Sequence, residues 1–231
     1  MNLNKVTITG VDDETPVKDL HALWIKYPFV EWGVLFSASR AGTPKYPTTA
    51  KIMTLTPLGM SLSAHFCGEY AREVLEAENG FIMFTTHLIG FERIQLNYDF
   101  LQSPIRWSFK APLEFNRKFP KAPLILQYNK FNEGAVQKYL QETNARIHVL
   151  YDSSGGKGLN TAEVADPFPV YTGYSGGLGP DNVEEFVKRL LAHPKPGPVW
   201  IDMENNVRTG DELDLDKVAR VLEICSKFMA L

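Results

Sequence analysis

The chain has 231 residues, of which 44% are hydrophobic and 22% are charged, and its formal net charge is -3. This composition does not favour disorder, and it gives no basic excess that would suggest nucleic-acid binding. No run approaches the ~20 apolar residues of a membrane span, and the first residues lack a signal-peptide pattern, so we expect a cytoplasmic protein without a membrane partner. Cys67 and Cys225 are too few for a disulfide framework, so we expect two free thiols.

Strand-like runs alternate with helical patterns along the chain. The strand-like runs span 5–11, 30–37, 60–68, 91–98, 122–130, 146–154, 168–176 and 198–206. Helical patterns cover 15–28, 68–77, 131–144, 180–193 and 214–231, while the aromatic and proline-rich stretch 99–121 gives the weakest one. Eight such units predict an α/β fold, the TIM (β/α)8 barrel, with residues 1–231 forming a single domain.

Alternation within the runs predicts which side chains face the helices and which face the barrel lumen. Apolar residues occupy one parity, and polar residues occupy the other toward the carboxyl end of each run. The polar set comprises Thr9, His65, Cys67, Gln95, Asn97, Gln127, Asn129, Asp152, Asp202 and Glu204. Active sites of this fold lie at the carboxyl ends of the strands, so we expect this set to converge on one mouth of the barrel. For any single Gln or Asn, a place in a polar core layer is an equal alternative.

The stretch YSGGLGPDNV (174–183) breaks a strand-like run with Ser175, Gly176 and Gly177 and then enters a helix. Glycines allow the backbone to approach a ligand closely, and free N–H groups at the start of a helix attract anions. The segment therefore indicates an anion site. A tight connection without a ligand is the alternative.

Several segments resemble phosphoribosylanthranilate isomerase, the tryptophan-pathway barrel that performs an Amadori rearrangement. They are KVTITGVDD, GVLFSASRAGTPKYP, RIQLNYD, LYDSSGGKG, YSGGLGPDNV and WIDMENNVRTGDELDLDKV, in chain order. Together they span nearly the whole chain, and YSGGLGPDNV is the most specific of them. The resemblance implies a TIM barrel that binds a small-molecule ligand.

The resemblance also implies roles for individual residues. Asp152 matches the family's general acid at the end of the sixth strand, and Lys157 lies in a glycine-rich stretch that resembles its mobile loop. Thr9 stands where the family has a cysteine general base. An unassisted threonine hydroxyl is too weak a base near neutral pH, whereas a cysteine can be tuned to a thiolate. His65 is the candidate replacement, because histidine titrates in the range that suits proton transfer.

The eighth unit departs further from the family, whose Ser-Ser-Gly phosphate turn is replaced by Glu204, Asn205 and Asn206. Two unit charges ~4 Å apart repel by ~4 kcal/mol at an effective dielectric of 20, so Glu204 opposes a phosphate unless a cation offsets it. Arg208 and Lys157 are the candidate cations. The departure favours a different ligand group, a carboxylate, or a bridging metal.

A metal site built from His65, Asp152, Asp202 and Glu204 is chemically conceivable, but no close ligand spacing supports it. We therefore expect no metal and no cofactor.

These observations favour an isomerase-like enzyme that acts on a small polar metabolite, sugar-like or phosphorylated, by acid–base chemistry. Asp152 and His65 would transfer protons, while Gln95, Asn97 and Asp202 would orient the substrate. The tryptophan-pathway reaction itself is not expected. Two alternatives stay open, a non-catalytic metabolite-binding barrel and an authentic phosphoribosylanthranilate isomerase with an unusual base. A homo-oligomer is compatible with the sequence.

Overall fold

Eight parallel strands pair in chain order and close on themselves in the computed structural model of the chain. The strands are β1 (Asn2–Thr9), β2 (Val30–Phe36), β3 (Leu62–Cys67), β4 (Arg93–Asn97), β5 (Leu124–Tyr128), β6 (Ile147–Asp152), β7 (Thr172–Ser175) and β8 (Pro198–Met203). β8 pairs with β1, which closes the sheet and confirms the predicted barrel. The structure describes residues 1–76, 90–97, 108, 110–129, 132–142, 146–152, 164–195 and 197–229.

Helices connect most of the strands. They are α1 (Val17–Lys26), α2 (Thr49–Leu55), α3 (Glu69–Glu76), α4 (Ala111–Lys118), α5 (Glu133–Glu142), α6 (Val183–Leu191) and α7 (Leu215–Ser226). Sequence patterns indicated no helix between the second and third strands, because α2 has only seven residues and no long apolar period. Thr48 marks its start, since the Thr48 side chain accepts a hydrogen bond from the Lys51 N–H. Within the described residues, no helix has the length and apolar character needed to cross a membrane.

Apolar side chains of the strands pack outward against the helices, as the alternation predicts. Val6 and Ile8 of β1 and Ile201 and Met203 of β8 are buried in this layer, together with the apolar face of α7. Full burial of such a side chain contributes ~1.5–3 kcal/mol. The parity that places these residues outside the barrel therefore directs their polar neighbours into the lumen.

A small apolar plug fills the middle of the lumen. Ile125, Leu150 and Trp200 form it, each from a different strand. Gly173 of β7 makes room for the indole, because a Cβ at this position would lie 2.1 Å from Cε2 of Trp200. The plug separates the two ends of the barrel.

A buried charged layer occupies the amino-terminal side of this plug. Glu31 accepts hydrogen bonds from Arg93 Nε at 2.9 Å and from Thr7 Oγ1 at 2.9 Å, and Lys5 Nζ lies 3.3 Å from the same carboxylate. Burial alone would raise the pKa of Glu31, but Arg93 and Lys5 outweigh it and hold this pKa at about 2. The Arg93 guanidinium also stacks over Trp200, 4.4 Å from the ring centroid. The chain itself satisfies the charges at this end, so the candidate site lies at the other.

Candidate active site

Thr9 and Asp202 meet at the carboxyl ends of β1 and β8. Thr9 Oγ1 donates a 2.8 Å hydrogen bond to Asp202 Oδ1, and both residues are buried. The neighbouring position on β2 is Gly33, where a Cβ would lie 2.3 Å from Thr9 Oγ1 and 3.0 Å from Cε1 of His65. Glycine at position 33 therefore leaves room for both the Thr9 hydroxyl and the His65 imidazole.

The Asp202 carboxyl is held in an environment that favours its protonated form. Burial raises the pKa of Asp202 to about 8, and the carboxylates of Glu204 and Glu31 act in the same direction. The hydrogen bond from Thr9 and the charge of Arg93 oppose this rise without cancelling it. The protonated form of Asp202 is therefore favoured at neutral pH.

A chain of polar side chains crosses β3 and β4 beside this pair. Gln95 Nε2 lies 3.3 Å from His65 Nδ1 and donates to Asn97 Oδ1 at 2.9 Å, and Asn97 Nδ2 lies 3.7 Å from the Cys67 sulfur. An amide NH2 can only donate, so this contact is a hydrogen bond in the tautomer whose ring proton is on Nε2 of His65. The four side chains thus form one continuous row along the mouth.

His65, the predicted base, has a strongly perturbed pKa. The ring is fully buried, and this burial lowers the pKa of His65 to about 3, which favours its neutral form. Burial also raises the pKa of the Cys67 thiol to about 11, which favours its protonated form. The two side chains contact the amides of Gln95 and Asn97.

Asp152 lies at the end of β6, two strands from Asp202. It is buried, and Gln127 Nε2 lies 3.4 Å from its Oδ2. Asp152 is in register with Ser175 of β7, and the pairing of Tyr174 with Ile201 brings Ser175 level with Asp202. Neighbouring strands lie ~4.8 Å apart, so the two carboxyl groups stand on strands roughly 10 Å apart along the sheet. That separation accommodates a small ligand.

Asn129 has a structural contact at the start of the next helix. Its backbone N–H donates to Asn132 Oδ1 at 2.9 Å, directly before α5. Lys157, predicted from the glycine-rich stretch, lies outside the described residues.

The turn after β7 has the glycine geometry that the sequence predicts, but other protein groups occupy part of it. Gly176 and Gly177 have φ values of 127° and 60°, which favour glycine. The Gly177 carbonyl accepts from Asn182 Nδ2 at 2.9 Å and from Asn206 Nδ2 at 2.6 Å. The N–H of Gly179 donates to Asn182 Oδ1 at 2.9 Å. Asn206, which lies in the loop after β8, thus binds the turn after β7 directly.

The cation beside Glu204 is Lys45, which sequence patterns did not indicate. Lys45 Nζ donates to Glu204 Oε1 at 2.8 Å and also to the Asn205 side chain. Arg208, a candidate for this role, is directed elsewhere: it donates to the Gly10 carbonyl and to Asp12 Oδ2, both at 2.6 Å. Its side chain is only 3% exposed, so it ties the loops after β1 and β8 together.

Comparison with known proteins places this site in a family context. The family model for N-(5'phosphoribosyl)anthranilate isomerase matches residues 111–224, which include β5 to β8. The second half of the chain is thus similar to phosphoribosylanthranilate isomerase, as a divergent sequence. The matched part contains Asp152, Ser175, Asp202 and Glu204, whereas Thr9 lies before it. No curated protein sequence gives a significant match.

Solved structures show the same fold at low sequence identity. A phosphoribosyl anthranilate isomerase in complex with reduced 1-(o-carboxyphenylamino)-1-deoxyribulose 5-phosphate is 16% identical, with a TM-score of 0.58, over 98% of this chain and 100% of that one. The N-(5'-phosphoribosyl)anthranilate isomerase from Pyrococcus furiosus is 14% identical, with a TM-score of 0.61, over 96% and 98%. A truncated 3-deoxy-D-arabino-heptulosonate 7-phosphate synthase from Thermotoga maritima is 11% identical, with a TM-score of 0.57, over 98% and 86%.

A cavity of about 200 Å³ adjoins the mouth of the barrel on the β2 and β3 side. It is lined by Ser37, Ala38, Ser39, Arg40, Tyr46, Cys67, Gly68 and Glu69. Arg40 Nη1 donates to the Tyr46 hydroxyl at 3.1 Å. Sequence reasoning indicated only Cys67 of this wall, because most of the other lining residues lie in the loop after β2, which has no strand or helix periodicity. Among the described residues, no three His, Cys, Asp or Glu side chains come together as metal ligands would.

Proposed function

We propose that this barrel is an enzyme that isomerises a small polar, sugar-like metabolite, with Asp202 as proton donor and Asp152 as proton acceptor. One observation carries the proposal. Asp202 is a buried carboxyl whose pKa is raised to about 8, and it is hydrogen-bonded to Thr9, the residue that stands where the family has its cysteine. The chain lacks the family's base at that strand end but has a carboxyl with a perturbed pKa beside it. Perturbed carboxyl groups in a cleft are typical of acid–base sites.

The reaction class follows from two carboxyl groups at the carboxyl ends of β6 and β8. The Asp152 carboxylate would take a proton from the carbon next to a carbonyl or imine, and the electron pair of that C–H bond would form a carbon–carbon double bond. The carbonyl oxygen or imine nitrogen would then take the proton of Asp202. Asp152 would then give its proton to the former carbonyl or imine carbon, while the ionised Asp202 would take the proton of the hydroxyl group on the neighbouring carbon. That carbon becomes the new carbonyl carbon, and both carboxyl groups are restored.

The remaining polar residues would orient the substrate in this scheme. Gln95 and Asn97 present hydrogen-bonded amides on β4, and Ser175 lies on β7 between the two strands that carry the carboxyl groups. His65 would act through Gln95, because its neutral ring holds the amide in one orientation. Such fixed, buried hydrogen-bonding groups favour polyhydroxylated ligands over apolar ones.

Deuterium incorporation into a small panel of sugar-like compounds tests the proposal. Wild-type protein would be incubated in deuterated water with ribose, with arabinose and with the glycosylamine of ribose and anthranilate. We expect deuterium at the carbon next to the carbonyl or imine of at least one of them, measured by proton NMR. Binding of these compounds without any incorporation would support the metabolite-binding alternative and contradict the enzymatic proposal.

Turnover of phosphoribosylanthranilate by the wild-type protein is expected to be undetectable, and Thr9→Cys is expected to restore little of it. The threonine hydroxyl is too weak a base, and a buried thiol beside Asp202 would be as poorly ionised as Cys67. Chromatographic detection of the product measures this. Thr9→Ser is the matched control, since it keeps the hydroxyl. Robust wild-type turnover would instead favour an authentic isomerase with an unusual base.

A further inference from the structure

The rim formed by the turn 175–179 after β7 and the loop 204–206 after β8 carries an internal hydrogen-bond network. Asn182 and Asn206 donate to the Gly177 carbonyl, and Asn182 also accepts from the Gly179 N–H, which is then not free to bind an anion. Gly179 packs so closely on Asn206 that a Cβ there would lie 2.6 Å from the Cβ of Asn206. The two loops are therefore in direct contact.

A salt bridge joins Glu204 of this rim to Lys45 in the loop after β2. The side chains of Lys45 and Glu204 are 28% and 35% exposed, so water screens their ion pair only in part. Lys45 is the only non-glycine residue with positive φ in the described part of the chain, at 73°. An L residue adopts this conformation at a cost that the surrounding structure must offset. The residue with this strained backbone is therefore the one whose ammonium group contacts Glu204, which directly follows β8.

The charged side chains Glu204 and Arg208 at this rim are each paired with an opposite charge of the protein itself. The Lys45 ammonium group is shared by Glu204 and Asn205, and Arg208 is paired with Asp12. A phosphate dianion at the Gly177 turn would lie next to the loop that carries the Glu204 charge, because Asn206 of that loop binds the Gly177 carbonyl. Lys45 cannot neutralise both groups with its single charge. An uncharged hydroxyl group meets no such repulsion.

We propose that the Lys45–Glu204 ion pair and the Asn206–Gly177 hydrogen bond determine specificity by excluding a terminal phosphate, so that the substrate is an unphosphorylated sugar-like compound. This inference rests on the proposed function only in calling the ligand a substrate. Lys45 and Glu204 are positioning and specificity residues, because they act on the ligand-binding rim and not on the reacting atoms. Exclusion of phosphate is a binding property that does not depend on turnover.

Calorimetry with inorganic phosphate tests the exclusion directly. Wild-type protein is expected to bind phosphate weakly, and Glu204→Ser is expected to tighten binding roughly 10–100-fold, because it removes the repelling charge and frees Lys45. Glu204→Gln keeps the size of the side chain and should give the same direction if the serine variant is unstable. Glu212→Gln, an exposed carboxylate change in the hairpin after β8, is the matched control and should leave the affinity unchanged.

Lys45→Met separates exclusion from direct phosphate binding by Lys45. We expect it to weaken phosphate binding further, because it leaves Glu204 unneutralised. Tight binding of phosphate by wild-type protein that Lys45→Met abolishes would overturn the proposal and make Lys45 an anion ligand. Equal phosphate affinities of wild type and Glu204→Ser would also overturn it.

A direct comparison of ribose with ribose 5-phosphate completes the test. Wild-type protein is expected to bind the phosphorylated sugar no more tightly than ribose, whereas Glu204→Ser should reverse this order. If phosphate is excluded as expected but no compound exchanges deuterium, the proposed reaction fails and the specificity inference stands. If deuterium exchange occurs with ribose 5-phosphate in preference to ribose, the specificity inference fails and the proposed reaction stands.

Discussion

Asp202→Asn is expected to reduce deuterium exchange about 10²–10⁴-fold, which is the usual contribution of a general acid or base. The asparagine side chain keeps the size of the carboxyl and can still accept from Thr9, but it has no proton of suitable acidity to donate. Wild-type exchange should itself fall as the pH rises through about 8, where Asp202 loses its proton. Proton NMR of the substrate in deuterated water measures both effects.

Two comparisons make this prediction specific. Asp216→Asn changes an exposed aspartate in the first turn of α7 and should leave exchange unchanged. Asp202→Asn should also alter the pH dependence of stability. A carboxyl whose folded pKa is raised favours the folded state at low pH, and this contribution disappears as the pH rises through about 8. The variant should therefore be more stable than wild type at pH 9, by an amount on the order of 3–5 kcal/mol, and similar to it at pH 4. Loss of exchange without this change in stability would contradict a buried, protonated Asp202.

Arg93→Met is expected to lower the free energy of unfolding by about 3–5 kcal/mol, because it leaves the Glu31 carboxylate buried with only Lys5 as a cationic partner. Urea denaturation measures the loss. The stabilisation from Glu31 exists above its unfolded pKa and disappears as the pH falls toward its folded value of about 2. The difference between wild type and Arg93→Met should therefore shrink in acid.

Two further variants identify the origin of this loss. Arg93→Met combined with Glu31→Gln removes both charges and should recover much of the stability, since the carboxylate no longer needs a partner. Arg72→Met removes a half-exposed arginine that lies 3.8 Å from Glu76 and should cost less than about 1 kcal/mol. A loss of equal size in the single and the double variant would mean that Arg93 acts by packing against Trp200 and not by its charge.

Local sequence patterns were sufficient to predict the barrel and the direction of its side chains. Each of the eight predicted runs overlaps one strand, because alternation of apolar and polar residues is a local property. The same alternation predicted that Thr9 and Asp202 would face the lumen. It did not predict their hydrogen bond, which joins residues 193 positions apart.

The rim contacts were beyond sequence reasoning for the same physical reason. Lys45 and Glu204 come from loops 159 positions apart, and no periodicity links them. Sequence analysis predicted Arg208 as a candidate cation for Glu204, to which it is close in sequence. Arg208 pairs instead with Asp12 in the loop after β1. It does so from the start of a short hairpin after β8, in which Arg208–Thr209 pairs with Glu212–Leu213. The pKa values of His65 and Asp202 depend on burial, which the residue types alone do not reveal.

Titration of the Asp202 carboxyl carbon by NMR tests the central claim most directly. The resonance of Asp202 would be assigned in protein labelled with ¹³C by its absence from Asp202→Asn, and its shift would be followed between pH 4 and pH 10. A midpoint near 8 is the result that we predict, because it makes Asp202 a proton donor at neutral pH. A midpoint near the ordinary aspartate value of about 3.9 would contradict the account, since Asp202 would then be ionised and unable to donate.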